Sequence, residues 1–305
     1  MRKIFIATSC LIAALCSPAV FSEHNAFKNV LKAVSPSIDS AFTTVQNGVS
    51  LYSGYHYNPH ALFPGTVIFF NGSGLSAFEW EFRERFFSQI LKNYSFLIFD
   101  RSGLGLSPPN LNLSVKNTGT AKLMNDQLIE LLKKRHIPGP YLLVAHSYAG
   151  RYAGYFALKN PSLVKGILFV DPSPRDYTYK KSVNDSFAPA VSDAEKYSAQ
   201  YMVDHYSGVL VEIAYNDVLG FEKTTQEIKA LGEINNNIPV IILSSTFMEE
   251  NNKQRIVQDW YTSQKQWLNH NPHSTIMQVK SGHCIQIDRP DVVLRQLNLL
   301  AKWAK

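Results

Sequence analysis

Two hydrophobic rhythms alternate along the chain. Short, nearly unbroken apolar runs at residues 66–70, 96–100, 141–145, 166–170, 240–243 and 275–279 are bounded by turn-forming residues, and a further run at 50–57 is entered through Asn47-Gly48. Runs this short, rich in Val, Ile, Leu and Phe, fit strands covered on both faces, as in a parallel sheet. Between them, residues 78–92, 120–136, 148–159, 251–269 and 290–302 repeat apolar positions every three or four residues, the period of a helix with one face on a core. The alternation predicts an α/β fold with a mainly parallel, twisted sheet and helices on both faces. It lapses once, at 172–237, where tyrosines and polar residues are interrupted by Pro189, Gly208 and Gly220. That stretch is expected to form a helical cap inserted over the carboxyl ends of the strands, leaving a core built from 23–171 and 238–305.

The first 22 residues follow neither rhythm. Arg2 and Lys3 precede an apolar stretch at 4–16, too short to span a bilayer, and small residues follow in Ser17-Pro18-Ala19 and Val20-Phe21-Ser22. This layout predicts an export signal cleaved after Ser22 or after Ala19, and hence a periplasmic or secreted mature chain. Loss of Arg2 and Lys3 takes the net charge from +6 to +4, and no remaining basic run is denser than Lys133-Lys134-Arg135. Nucleic-acid binding calls for a broad basic face, so that class is set aside. No later segment reaches the roughly 18 to 20 apolar residues of a membrane helix, so no stable membrane insertion is expected once the signal is gone. Of the three cysteines, Cys10 and Cys16 lie in the signal and Cys284 alone follows it, which predicts a mature chain without an internal disulfide.

Candidate chemistry gathers at the ends of the predicted strands. The run at 141–145 leads into Ala145-His146-Ser147-Tyr148-Ala149-Gly150, a serine at a strand-to-helix turn with small residues two places to either side. Such a turn strains the serine's backbone, needs small flanking residues so that neighbouring chains can pass, and aims the hydroxyl at a helix N-terminus. Upstream, the run at 66–70 opens into Asn71-Gly72-Ser73-Gly74, a loop able to turn a backbone N–H toward an oxyanion; Ser73 and Tyr148 are the expected pair of donors. Downstream, Ser281-Gly282-His283 follows the last predicted strand, and among nine histidines only His283 sits where a general base could fold over Ser147. His146 is expected to pack or tune the site, and His205 to lie on the surface. For the acid that orients the base, Asp171 ends the run at 166–170, while Glu249 and Glu250 follow the next strand as competing candidates.

At these residues the chain resembles the α/β-hydrolase superfamily, especially bacterial members with a Gly-Pro-Tyr-strand-Gly-His-Ser entry, a Val-Asp-Pro exit and a late Ser-Gly-His. Here the matching segments read Gly139-Pro140-Tyr141, Ala145-His146-Ser147, Val170-Asp171-Pro172 and Ser281-Gly282-His283, and Asp100-Arg101-Ser102-Gly103-Leu104-Gly105-Leu106-Ser107 is similar to the loop after the family's fourth strand. The resemblance spans residues 50–303 and implies the α/β-hydrolase fold, a triad in the order serine, acid, histidine, and no cofactor. Asn71 stands where members commonly carry histidine. Phe247 and Met248 fill the places where many carry the acid, which favours Asp171.

The expected chemistry is acyl transfer from a small-molecule ester or thioester through an acyl-enzyme on Ser147, with His283 as base and Asp171 behind it. Two other readings stand beside it. An aminopeptidase acting on short peptides would need a cap carboxylate for the free amine, with Asp193, Glu195, Asp204 and Glu212 as candidates. A ligand-binding protein would keep the pocket without turnover.

Overall fold

The computed structural model describes residues 37–81, 83–176, 188–246 and 254–304, with the side chains of 254–258 left aside. The expected export signal at 1–22, Tyr177, Tyr179 and the competing acids Glu249 and Glu250 lie outside these residues.

Eight strands form one sheet: β1 (Ile38–Val45), β2 (Val49–His56), β3 (Thr66–Phe70), β4 (Ser95–Phe99), β5 (Tyr141–His146), β6 (Val164–Val170), β7 (Val240–Ser245) and β8 (Thr275–Val279). Their spatial order is β1-β2-β4-β3-β5-β6-β7-β8, antiparallel from β1 to β4 and parallel from there to β8. Every residue of β3, β4, β5 and β7 is buried, which is why these runs read as continuous apolar sequence. Strand β1 was not among the expected elements. It lies at the sheet edge with only two of its eight residues buried, so its hydrophobic signal is diluted. Asn47 and Gly48, at φ 60° and 74°, form the tight turn of a β1–β2 hairpin with Val45 opposite Val49.

Alternation within the strands divides the core between two faces. Ile68, Phe70, Leu143, Ala145, Phe169 and Ile242 face α3 (Ala121–Lys134) and α4 (Ala149–Lys159). Their sequence neighbours Val67, Phe69, Leu142, Val144, Leu168 and Ile241 face helices near the two ends of the chain. The N-terminal part of this layer is α1 (Phe78–Glu81) and α2 (Glu84–Asn93); the C-terminal part follows α9 (Gln254–Gln264) and α10 (Ile285–Asp288) and is α11 (Pro290–Trp303). A side chain fully buried in such a layer contributes about 1.5–3 kcal/mol relative to exposure. The single helix expected at 78–92 is broken in two, with Arg83 in extended backbone before α2. That expected at 120–136 starts one residue later, because the Thr120 hydroxyl accepts from the Leu123 N–H as a cap, and ends before His136, whose φ is 52°.

Between β6 and β7 the described residues form α5 (Ala188–Ala194), α6 (Ala199–His205), α7 (Gly208–Glu212), a π-helical turn (Ile213–Val218) and α8 (Phe221–Ala230). Ala194, Ala199, Met202, Val211 and Tyr215 give these helices a small core of their own, joined by Leu113. Tyr215 is fully buried there and Tyr197 is exposed. Among the described residues no helix is long and apolar enough to cross a membrane. Cys284 is disulfide-bonded; the expectation drawn from the cysteine count concerns the chain after removal of residues 1–22.

Candidate active site

Strand β5 delivers Ser147 at its carboxyl end with φ 55°, a left-handed conformation that costs a non-glycine residue about 1–3 kcal/mol. Three backbone hydrogen bonds hold it: the Ser147 N–H donates to Val170 O at 3.0 Å, and its carbonyl accepts from Gly150 at 3.0 Å and Ser173 at 2.9 Å. Ala145 and Ala149 are fully buried and fit. Glycine is required one place later, since a Cβ at Gly150 would sit 2.7 Å from Pro172 Cβ. The tight passage of this turn therefore lies between α4 and the chain leaving β6.

Asp171, also left-handed at φ 45°, is fully buried. Its Oδ1 accepts from the Ser245 N–H at 3.0 Å, the Trp260 indole N–H at 3.0 Å and the Gln264 amide at 2.9 Å; its Oδ2 accepts from the Ser245 hydroxyl at 2.6 Å. His283 follows β8, and its Nδ1 lies 2.6 Å from Asp171 Oδ2 while its Nε2 lies 2.8 Å from Ser147 Oγ. Burial alone would raise the Asp171 pKa, but the bonds from His283 and Ser245 bring it down to about 2. An ionised carboxylate only accepts hydrogen bonds, so the proton of a neutral His283 resides on Nδ1 and the Nε2 lone pair faces the serine hydroxyl. The side chains of Ser147, His283 and Asp171 are thus brought into one hydrogen-bonded line, from three strand ends spread over 136 residues of sequence.

Ser73 lies in the loop after β3, and Tyr148 is the residue between Ser147 and α4. Arg101, immediately after the Asp100 that follows β4, reaches back to this loop: Nη1 donates to Asn71 O at 2.6 Å and Nη2 to Gly72 O at 2.9 Å. Its Nε donates to Glu212 at 2.9 Å, both side chains being almost fully buried. Burial opposes the Arg101 charge, yet Glu212 outweighs it and keeps the guanidinium pKa above its ordinary value. Asp217, in the π-helical turn, accepts from Tyr152 at 3.1 Å; burial and the nearby Glu212 charge push its pKa upward.

His146 packs behind the site, as expected. It is buried, ion-paired through Nδ1 with Glu79, and its Nε2 is 3.2 Å from the His283 carbonyl. Burial would favour the neutral ring, but the Glu79 charge prevails and raises the His146 pKa. Glu79 also accepts from the Gly72 N–H at 2.8 Å and from Gln286. His205 is exposed and stacks on Tyr201.

Of the carboxylates considered for an amine, Glu212 is taken by Arg101. Asp193 accepts from Tyr206 at 2.8 Å, Asp204 accepts from Gln200 at 2.9 Å, and Glu195 is exposed. Among the described residues no three His, Cys, Asp or Glu side chains are grouped to hold a metal ion. Sequence reading missed Glu79, Ser245, Trp260 and Gln264, and saw Glu212 only as a possible amine-binding carboxylate, not as the partner of Arg101. Arg101 carried a signal, a charged residue one place beyond the Asp100 that follows the buried strand β4.

A family model described as the alpha/beta hydrolase family matches residues 67–296. The uncharacterized protein YqjL of Bacillus subtilis (strain 168) is 27% identical over 229 residues, 75% of this chain and 80% of that protein. Carboxylesterase CesB (YbfK) of Bacillus subtilis superposes with a TM-score of 0.60 at 12% identity, over 92% of this chain and 97% of the other. Haloalkane dehalogenase DatA of Agrobacterium tumefaciens C58 does so with a TM-score of 0.60 at 13% identity, over 90% and 99%. At such identities the likeness in shape speaks for the fold alone.

Proposed function

Because the chain belongs to the alpha/beta hydrolase family, whose model matches it over residues 67–296, we propose that it is a serine hydrolase cleaving a carboxylic ester or thioester. The observation that carries this reading is the contact line from Ser147 Oγ to His283 Nε2 at 2.8 Å and from His283 Nδ1 to Asp171 at 2.6 Å. His283 takes the hydroxyl proton as Ser147 Oγ bonds to the ester carbonyl carbon, and the carbonyl oxygen becomes an oxyanion facing the Ser73 and Tyr148 N–H groups. Collapse breaks the carbon–oxygen bond to the leaving group, which departs as the alcohol with the proton returned by His283. Water then adds to the acyl-enzyme, His283 again carrying the proton, and the acid is released as Ser147 is restored. Asp171 stays ionised throughout and stabilises the imidazolium.

Structural neighbours include an esterase and a dehalogenase. Displacing halide from carbon needs a carboxylate nucleophile at the elbow, so serine at 147 supports the ester branch. Commitment of Glu212 to Arg101 weighs against the aminopeptidase reading.

A fluorophosphonate probe is expected to label Ser147, read by mass identification of the modified peptide. Hydrolysis across a panel of p-nitrophenyl esters should fall on the order of 10⁴–10⁶-fold in Ser147→Ala. Unchanged hydrolysis in that variant sinks the nucleophile assignment. Preference for aminoacyl-anilides over esters would turn the reading toward a peptidase, and absence of both labelling and turnover toward a binding protein.

A further inference from the structure

The carbonyl of Gly72 and the N–H of Ser73 belong to one peptide unit, planar and trans, so the two groups point in opposite directions. Whatever fixes the carbonyl therefore aims the N–H. Arg101 fixes it: Nη2 donates to Gly72 O at 2.9 Å while Nη1 holds Asn71 O at 2.6 Å. Two carbonyls on one side of a rigid planar fork define the guanidinium's plane, which a lysine ammonium would not do. A carbonyl that accepts from a cation also polarises its own amide and makes that amide N–H a stronger donor, the more so where water is excluded. Side-chain exposure here is 3% for Arg101 and 0% for Glu212. The remaining fork position, Nε, is anchored at 2.9 Å by Glu212, the last residue of α7. Glu79 secures the preceding peptide by accepting the Gly72 N–H at 2.8 Å. The loop after β3 is thus gripped from both sides, once by a residue following β4 and once by one in α1.

We propose that Arg101 is a positioning residue of acyl transfer, aiming the Ser73 N–H at the oxyanion through the Gly72 carbonyl, and that Glu212 makes this aim depend on the helices between β6 and β7. The proposal rests on the serine-hydrolase reading above. Its consequence is that Arg101 acts on the tetrahedral state and hardly on the bound ester, since only the former carries the oxyanion.

The test compares the full-length wild type with Arg101→Met, Arg101→Lys and Glu212→Gln on a p-nitrophenyl ester, and measures inhibition by a trifluoromethyl ketone, whose adduct with the serine carries an oxyanion. Arg101→Met should lower kcat about 10²-fold with KM within about threefold, as for loss of one oxyanion donor. The inhibition constant for the ketone should rise by the same factor as kcat/KM falls. Arg101→Lys, which keeps the charge and loses the fork, should recover only part of the activity. Glu212→Gln, which still accepts from Nε, should lower kcat about threefold to tenfold. A kcat that falls while ketone affinity stays at the wild-type value, or a kcat that does not fall, overturns the proposal. Should the Arg101 variants fail to fold, by circular dichroism, Glu212→Gln decides alone on the same criterion. Fluorophosphonate labelling of wild-type Ser147 is read separately: its absence brings down the hydrolase reading, whereas its presence with an unmoved ketone affinity brings down only the role given to Arg101.

Discussion

Ser147 and Asp171 share an uncommon feature for residues that are not glycine, a positive φ, and each follows directly on a buried strand. Asp171 is held there by its own carboxylate, which gathers bonds from Ser245, Trp260, Gln264 and His283. Its native pKa of about 2 lies below the ordinary carboxylate value of about 3.9. A depressed native pKa stabilises the fold fully above the unfolded value, and the contribution drains away as pH falls from there toward 2; for Asp171 it is about 2–3 kcal/mol. Urea midpoints measured between pH 5 and pH 2.5 should therefore fall less steeply in Asp171→Asn than in the wild type. The same variant should lose on the order of 10⁴ in kcat, because the amide reverses the tautomer of His283. A variant that retains both the wild-type slope and the wild-type rate would show that the acid lies elsewhere, with Glu249 and Glu250 the next to substitute. Ser147, Asp171 and His283 were legible because strand ends announce themselves by small residues and turns. Glu79 and Trp260 were not, since they reach their partners from distant segments and leave no local pattern, and Glu212 was read only as a cap carboxylate, not as the partner of Arg101.

At the scale of elements, buried strands were read almost to the residue, whereas β1 was missed because an edge strand shows its apolar residues to solvent. The Asn47-Gly48 signal was seen for what it begins and not for what it closes, a hairpin with β1. Small residues around Ser147 were read as a requirement at 145 and 149, and Gly150 is crowded as well, against Pro172. Helix propensity would favour alanine at 150 by about 1 kcal/mol. Crowding Pro172 costs about 1–3 kcal/mol and presses on the residue next to Asp171, so overpacking wins. Gly150→Ala should lower both Tm and kcat, measured by calorimetry and ester hydrolysis; a rise in Tm with unchanged kcat would show that the passage between α4 and Pro172 is looser than its geometry implies.

Across the whole molecule, the strand order reverses between β3 and β5: the chain leaves β3 toward β4 on one side and later places β5 on the other. Open α/β sheets have their crevice at such a reversal, beyond the carboxyl ends of the strands, and Ser147 and Ser73 follow those two strands. Alternation of short apolar runs with helical periods was enough to foresee this architecture, since the runs of β3, β4, β5 and β7 are buried throughout, while β8 at the edge buries only Val279. The division at 172–237 and the leader at 1–22 remain proposals about the chain's organisation. If the leader is an export signal, intact mass and N-terminal sequencing of protein recovered from the periplasm or medium should find Glu23 first, or Val20 if cleavage follows Ala19. A full-length chain retained in the cytoplasm would refute export. One contact in the site has a further use. Trp260 gives its indole proton to the carboxylate beside His283, and two of the chain's three other tryptophans, Trp80 and Trp267, are sealed in the core. Light emitted by that one ring should change whenever the carboxylate gains or loses its charge, so the protein carries its own optical gauge of the group on which its base depends.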